Sequence, residues 1–592
     1  MILATTHTNR RHLAPISGSI DPTDPSPLAA AWREISEETT LTPSSLTLLR
    51  HGKSYVFSDP SVGREWTIFP FAFQLKTPAD EENIHIDWEH SDWSWHDPLS
   101  VVDDDKFGGV PRLAESLRRV WFEMDLGAPA ASVLSDRLHS LATDYQSGAR
   151  QMAGVALATL RDIIAAHEPC EPSEKWWANV RFAAWHLWKN GRESMGAAIM
   201  SALLGALSDI ETALSRNTTD NTTKPWRGTV LALLDSHVAA RSRSNTAIST
   251  AFSDYITKTF SLLSNPDMGS STETTPRRPP LSVLTLSESS TITQALQHLT
   301  TNNLPESPPL DIRILESRPL YEGVSLASSL LPSMSASRGD TLTIYTDAAA
   351  ALASSTPSHP SNSRSHNGNS NNQYEPSSSK KGVDILLLGA DRIASNGATS
   401  NKTGTLPAVL SARFVTSRPS PSASNVGINT ENSPDIQQQQ QQQQHHTIKV
   451  LVLGDTEKIA PPGRPEEHVV EDNDADQVIS GWKSAGTSQR IKAASEVIER
   501  HININGADNV HVPSGRDTTR GESRKSENVE KEKDREKGEN PVRVIVRNVS
   551  FEWCPPELID AYITEQGEQT VHDIARRSQE LADKEHRIFG NL

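Results

Sequence analysis

Asp384-Ile-Leu-Leu-Leu-Gly-Ala-Asp391-Arg-Ile-Ala-Ser-Asn-Gly-Ala-Thr-Ser-Asn401-Lys402-Thr-Gly-Thr405 reads as a strand, a turn and the start of a helix. The apolar run Val383 to Leu388 has the character of a parallel strand buried on both faces. Gly389-Ala390 then turns the chain so that Asp391 projects beyond the strand's carboxyl end, the edge at which open α/β sheets bind ligands. Thr405 is a suitable N-cap and Pro407 suits a first helical turn, so Lys402 and free backbone N–H groups are expected beside Asn401. Such a place suits a phosphate. The plainer alternative is an ordinary strand-loop-helix crossover.

Working outward, the 592 residues allow about three or four domains. Lys plus Arg number 57 against 74 Asp plus Glu, a net charge of −17, which disfavours a broad electrostatic grip on nucleic acid or anionic lipid. The two cysteines, Cys170 and Cys554, exclude a disulfide framework and a cysteine-based zinc site, and point to a reducing, cytoplasmic setting. The first residues lack a signal-peptide core, and the apolar patch Met195 to Leu207 is too short to span a bilayer.

Residues 1–125 mix short β-like runs, such as Glu65 to Leu75, with a helix near Ala29 to Glu38. From 131 to about 270 apolar residues recur at helical spacing through Leu134 to Ala166, Trp176 to Leu187 and Met195 to Leu214. The aromatic cluster Trp176, Trp177, Trp185 and Trp188 reads as packing rather than a ligand box. Over 271–592 short strands alternate with helices: Ser282 to Thr285, Asp311 to Leu315, Thr341 to Tyr345, Asp384 to Leu388, Lys449 to Leu453 and Val542 to Val546. That rhythm predicts a doubly wound parallel sheet. Polar, low-complexity tracts at 355–381, 418–446 and 515–540 interrupt it and read as disordered insertions. His445 and His446 end a glutamine run, where a solvated pair is the plainer reading than a metal site.

Several motifs in this half, in order, resemble the family of the alpha, beta and delta subunits of translation initiation factor 2B, which also contains methylthioribose-1-phosphate isomerase and ribose-1,5-bisphosphate isomerase. They are Val283-Leu284-Thr285 with Ser287, Ser289 and Ser290; Leu315-Glu316-Ser317-Arg318-Pro319 with Glu322-Gly323; Tyr345-Thr346-Asp347-Ala348; Gly389-Ala390-Asp391-Arg392; Asn401-Lys402-Thr403-Gly404-Thr405; Val452-Leu453-Gly454 with Lys458; Phe551-Glu552-Trp553; and Thr564-Glu565-Gln566-Gly567. The resemblance implies a helical domain followed by a Rossmann-like sheet, and pairing with a like or related subunit through about Cys554 to Thr564. Physically, Arg318 offers a planar fork for phosphate, Lys402 a point charge, Asn401 an amide, and Asp391 a carboxylate for sugar hydroxyls or a proton. The alternative for Arg318 and Asp391 is a structural ion pair. Where the isomerases carry a catalytic cysteine after Thr-His, this chain reads Thr285-Leu286-Ser287, and it has Ser147 where they carry an arginine before Gly-Ala. A hydroxyl is a far poorer acid than a thiol, so isomerisation is not expected and the regulatory branch fits better.

Arg33-Glu34-Ile35-Ser36-Glu37-Glu38 is similar to the core of the Nudix box, with Gly18 upstream. Glu34, Glu37 and Glu38 fall at i, i+3 and i+4 of a helix, so three carboxylates share one face and can gather Mg²⁺ or Mn²⁺ for catalysis. An acidic face countered by Arg33 is the alternative. Pro25 stands where the box has a glutamate, with Asp24 and Asp21 the nearest acids; Thr40 replaces a glycine; and only 17 residues precede Gly18, too few for the opening strands of a complete Nudix sheet. The expected fold is therefore α/β: a Nudix-like α+β domain, possibly truncated, then a helical middle domain, then a Rossmann-like parallel sheet. The arrangement resembles a fungal-type fusion. Three functions follow: a regulatory protein binding a phosphorylated sugar or nucleotide and carrying a Nudix-like domain; a metal-dependent hydrolase of nucleoside-diphosphate-linked compounds with the C-terminal half as sensor or scaffold; or a catalytically silent subunit in translation control, as homodimer or hetero-oligomer.

Overall fold

The computed structural model describes residues 2–6, 12–60, 63–104, 106–145, 147–168, 173–219, 226–261, 280–301, 308–355, 382–417, 447–468, 471–484, 487–502 and 544–592. The three low-complexity tracts, His445, His446 and Cys170 lie outside them, apart from Ser355.

Three small antiparallel sheets and one helix make the first part. Strands β1 (Ile2–Thr6) and β2 (Leu13–Ala14) pair with each other, and β1 also pairs with β7 (His90–Trp95). The stretch before Gly18 thus supplies two strands. Helix α1 (Pro27–Thr39) starts where Ser26 Oγ accepts from Ala29 N at 3.2 Å with Pro27 in the first turn. It ends on Thr40, whose φ of 60° is the left-handed conformation that explains a glycine in the box at this position. Trp32 and Ile35 bury against β3 (Leu46–His51) and β6 (Phe71–Leu75), with Trp32 edge-on to Phe73 at 4.7 Å. The run Glu65 to Leu75, expected as one strand, breaks at Pro70 into β5 (Arg64–Ile68), paired with β4 (Tyr55–Asp59), and β6.

A helical body follows: α2 (Leu113–Arg118), α3 (Glu123–Thr143, kinked at Gly127), α4 (Ala149–Ala166), α5 (Glu174–Lys189), α6 (Gly196–Thr219) and α7 (Trp226–Ser261). The tryptophans pack as expected, Trp176 edge-on to Trp226 at 4.7 Å and Trp188 stacked on Phe589 at 5.9 Å. The segment Glu193–Arg216 is long and apolar enough to cross a membrane, and 61% of its most apolar window is buried inside the protein. The first part is tied to this body: Asn190 Oδ1 accepts from His51 N at 2.6 Å, its amide donates to His51 O at 3.0 Å, and Arg50 lies 4.0 Å over the Phe122 ring.

Helix α7 runs from this body onto a seven-stranded sheet, whose core strands are β8 (Leu281–Leu286), β9 (Leu310–Leu315), β10 (Thr341–Tyr345), β11 (Ile385–Leu388), β14 (Lys449–Leu453) and β16 (Ala561–Thr564). Their order is β10-β9-β8-β11-β14-β16, all parallel, with β17 (Gly567–Gln569) antiparallel at the edge. Val283, Ile385, Leu387 and Leu451 face α7, α8 (Ser290–Thr301) and α9 (Glu322–Leu330). Leu284, Leu386, Leu388 and Val452 face α10 (Ala350–Ser355), α11 (Thr405–Ser417) and the terminal helix Val571–Phe589. Burial on both faces is why β11 and Val450 to Leu453 of β14 read as unbroken apolar runs. Of the strand expected at Val542 to Val546, residues 544–546 are irregular and 542–543 lie outside the described residues. The sixth parallel strand is instead Ala-Tyr-Ile-Thr at 561–564, too short and mixed to stand out.

A minor sheet of β12 (Arg392–Ile393), β13 (Thr399–Lys402) and β15 (Phe551–Cys554) covers the carboxyl ends. Cys554 and β16 are buried within the chain, so of the region expected to meet a second subunit only the loop at 555–560 reaches solvent. Burial pushes the Cys554 thiol up to about 12. Native full-length protein should therefore leave Cys554 unalkylated by iodoacetamide at pH 8, and peptide mass spectrometry should find it labelled only after denaturation.

Candidate functional site

The strand order reverses between β8 and β11, the switch point at which such sheets take ligands. Asp391 sits there, its N–H donating to Ser400 O at 2.9 Å and its carboxylate half-buried. Asn401 is buried behind it: a Cβ on Gly389 would lie 3.4 Å from Asn401 Oδ1 and 3.6 Å from Ser289 Oγ. Ser287 and Ser317, at the ends of adjacent strands, have φ of 59° and 61°, a strained conformation held by Ser287 N donating to Ser317 Oγ at 2.8 Å. Asp347 fixes the next loop, accepting from Ser317 N and Arg318 N at 2.8 Å each.

Arg318 and Lys402 line one groove with Leu320, Glu322, Asn548 and Ser550, but Asp391 and Asn401 do not line it. The four residues expected to converge therefore divide into two pairs. Both cations are already engaged, Arg318 Nε with Glu316 at 2.7 Å and Lys402 Nζ with Glu322 at 2.9 Å. The ion pair weighed for Arg318 is thus with Glu316, not Asp391. The free N–H groups expected at α11 are also taken: Glu552 Oε1 accepts from Gly404 N at 2.6 Å and Leu406 N at 2.9 Å. Thr405 is the first helical residue rather than the cap, its hydroxyl donating to Lys402 O at 2.6 Å. A carboxylate from 148 residues away occupies the seat read as a phosphate site, because the positive end of a helix favours any anion placed there.

A charged cluster that sequence reading missed joins the helical body to this edge. Arg150 on α4 and Arg241 on α7 meet Asp455 and Glu457 after β14, while Glu565 accepts from Thr456 N at 3.0 Å. Burial raises the Glu457 carboxyl to about 7 despite Arg241. Lys458 donates to the Ala390 carbonyl, next to Asp391. The only signal in the sequence was a concentration of charge in Asp455-Thr-Glu-Lys458 just past an apolar strand.

On α1 the Nudix-like residues are placed as follows. Arg33 bonds Asp24 at 2.9 Å, Glu34 at 2.8 Å, Glu37 at 3.1 Å and Ser19 O at 2.9 Å. Asp24, beside Pro25, thus supplies the acid that Arg33 meets. A Cβ on Gly18 would fall 1.9 Å from the Glu34 carboxyl carbon, so a larger residue there would push the Glu34 side chain aside. Glu37 is exposed, whereas Glu38 is 5% exposed and, among the described residues, its Oε2 has no hydrogen bond. Burial first, and then the Glu34 and Asp87 carboxylates, push Glu38 up to about 8. His90 lies 3.6 Å from Glu38 and bonds Asp87 at 2.9 Å. Among the described residues no group of three His, Cys, Asp or Glu is gathered as a metal set.

The NUDIX domain model matches residues 2–120. No curated protein matches the chain. Solved structures with a related arrangement include translation initiation factor 2B of Pyrococcus horikoshii OT3, at 14% identity over 74% of this chain and 96% of that one with a TM-score of 0.38. The tetrameric initiation factor 2B beta2-delta2 complex of C. thermophilum gives 13%, 78%, 98% and 0.40. The 5-methylthioribose 1-phosphate isomerase of P. horikoshii OT3 gives 13%, 77%, 88% and 0.39. The chain thus carries a NUDIX domain over residues 2–120, followed by a helical body and a doubly wound sheet.

Proposed function

We propose that the NUDIX domain is a hydrolase of nucleoside-diphosphate-linked compounds, using Mg²⁺ or Mn²⁺, and that the C-terminal half is its sensor or scaffold in a cytoplasmic setting. The observation that carries this reading is the Glu38 carboxylate, buried 3.6 Å from His90 and crowded by the Glu34 and Asp87 carboxylates. That arrangement is unfavourable alone and favourable around a cation. Glu34, Glu37 and Glu38 would hold the ion, which when bound supplies charge neutralisation for a diphosphate and an activated water. Arg33 holds Glu34 and Glu37 on one face, and Gly18 brings loop backbone against Glu34. The test is release of a nucleoside monophosphate from a panel of such compounds by full-length protein with Mg²⁺ or Mn²⁺; no turnover with either ion would end the reading.

A second reading, binding of a phosphorylated sugar or nucleotide by the C-terminal half, is favoured by Arg318 and Lys402 facing one groove. Since Glu322 already neutralises Lys402, Glu322→Gln should tighten ribose 5-phosphate or nucleoside monophosphate binding and Lys402→Ala weaken it, each by about tenfold, in calorimetric titrations. Equal affinities in all three proteins would remove Lys402 from the site. Isomerisation is not part of either reading, because Ser287 replaces the thiol and Cys554 is buried on the minor sheet. Incubated methylthioribose-1-phosphate should show no ketose by NMR above the blank, and a ketose signal lost in Asp391→Asn would overturn this.

A further inference from the structure

We propose that the junction between the helical body and the sheet is a proton-operated latch: among the described residues three carboxylates face two guanidinium groups there, and the cluster keeps one proton that holds it closed. The inference stands apart from both functional readings. Asp455 and Glu457 follow β14 and Glu565 follows β16, while Arg150 comes from α4 and Arg241 from α7. The side chains of Arg150, Arg241 and Asp455 are 15%, 10% and 9% exposed.

The bonds cross from one part to the other. Arg241 pairs with Glu457, and its Nη2 donates to Arg150 O at 2.8 Å. Arg150 stands 3.9 Å from Asp455, to which the Ser244 hydroxyl of α7 also donates. Glu565 accepts from Thr456 N at 3.0 Å and from the Thr456 hydroxyl, so the end of β16 is tied to the same turn. The other charges nearby are spent elsewhere. Lys458 turns away to the Ala390 carbonyl, and Glu568 on β17 meets Lys258 of α7 at 3.9 Å. Helix α6, which packs on the turn at Thr456–Lys458, has no titratable residue from Gly196 to Ser208, and its Asp209 and Glu211 meet His237 and Arg587.

Three negative charges against two positive leave one carboxylate without a counter-charge where little water reaches, and a proton removes the excess. Burial holds Glu457 up to about 7 despite Arg241, and burial, then Asp455, raises Glu565 above the ordinary carboxylate range. The proton belongs to the set rather than to one residue. With a folded value near 7 against an ordinary 4.5, its contribution is complete below 4.5 and is lost as pH rises through 7. The released charge then loosens α4 and α7 from the carboxyl end of the sheet, beside Ala390 and Asp391.

The test is hydrogen exchange on the full chain at pH 5 and pH 8, with each variant compared to the parent at the same pH so that the intrinsic chemistry of exchange cancels. Glu457→Gln and Glu565→Gln each leave two carboxylates for two guanidinium groups. At pH 8 either variant should slow exchange in residues 149–156 and 455–458 by at least about tenfold, and at pH 5 it should match the parent within about fivefold. Helix α1 should exchange alike in all three proteins, which separates this junction from Glu38. Gln variants that exchange as fast as the parent at pH 8, or faster at both pH values, would overturn the latch. So would a parent whose junction, corrected for the intrinsic rate, is equally protected at pH 5 and pH 8.

Discussion

Replacing Glu37 and Glu38 together by Gln is expected to lower diphosphate hydrolysis by at least about a hundredfold, since two ion-holding charges are lost while side-chain size is kept. The same change should act on stability in the opposite direction. The folded Glu38 carboxyl titrates near 8 against an ordinary value of 4.5, so its favourable contribution is complete below 4.5 and is lost as pH rises through 8. In chelator at pH 8, Glu38→Gln should therefore melt above the parent, and at pH 4.5 the two should coincide. A double variant that hydrolyses as fast as the parent would show that the α1 carboxylates hold no catalytic ion; a Glu38→Gln variant less stable at pH 8 would show that the buried charge is compensated.

Asp311→Ala is expected to cost the sheet about 3–5 kcal/mol, the usual penalty for stranding one partner of a buried ion pair. Arg313 on β9 is 1% exposed, and Asp311 Oδ2 accepts from its Nε at 3.0 Å and Nη2 at 2.9 Å. The same carboxylate accepts from Ser282 Oγ on β8 at 3.1 Å and Thr341 Oγ1 on β10 at 2.9 Å, so it joins three neighbouring strands. Hydrogen exchange should accelerate in Leu281–Leu286 and Thr341–Tyr345 and stay unchanged in Leu46–Leu75. Unaltered exchange in β8 and β10 would mean that side-chain bonds at this end of the sheet carry little.

What could be read from the sequence was decided by how local each signal is. β8, β11 and β14 were legible because burial on both faces forces four to six apolar or small residues in a row. Helix α1 announced itself through the spacing of its carboxylates. Ala561–Thr564 carried no such run, and the buried pairing of Arg313 with Asp311, two positions away on the same strand, shows no distinct signal in the sequence. Glu552 at α11 and His90 at Glu38 depend on contacts across 148 and 52 positions, which no local pattern encodes. Arg318 and Lys402 line one groove, but their neutralisation by Glu316 and Glu322 is a matter of side-chain direction. Residue type announces that a charge is present; only the fold says whether it is spent.

The doubly wound order has one more consequence, for how this gene can drift. The tracts around 356–381 and 418–446 leave α10 and α11 and re-enter at the amino ends of β11 and β14, whereas Asp391, Asn401 and Lys402 stand at the carboxyl ends. Doubling the length of a connecting segment costs only about 0.6 kcal/mol of closure entropy. A change in the number of glutamines within Gln437 to Gln444 should therefore leave the opposite rim of the sheet with its geometry.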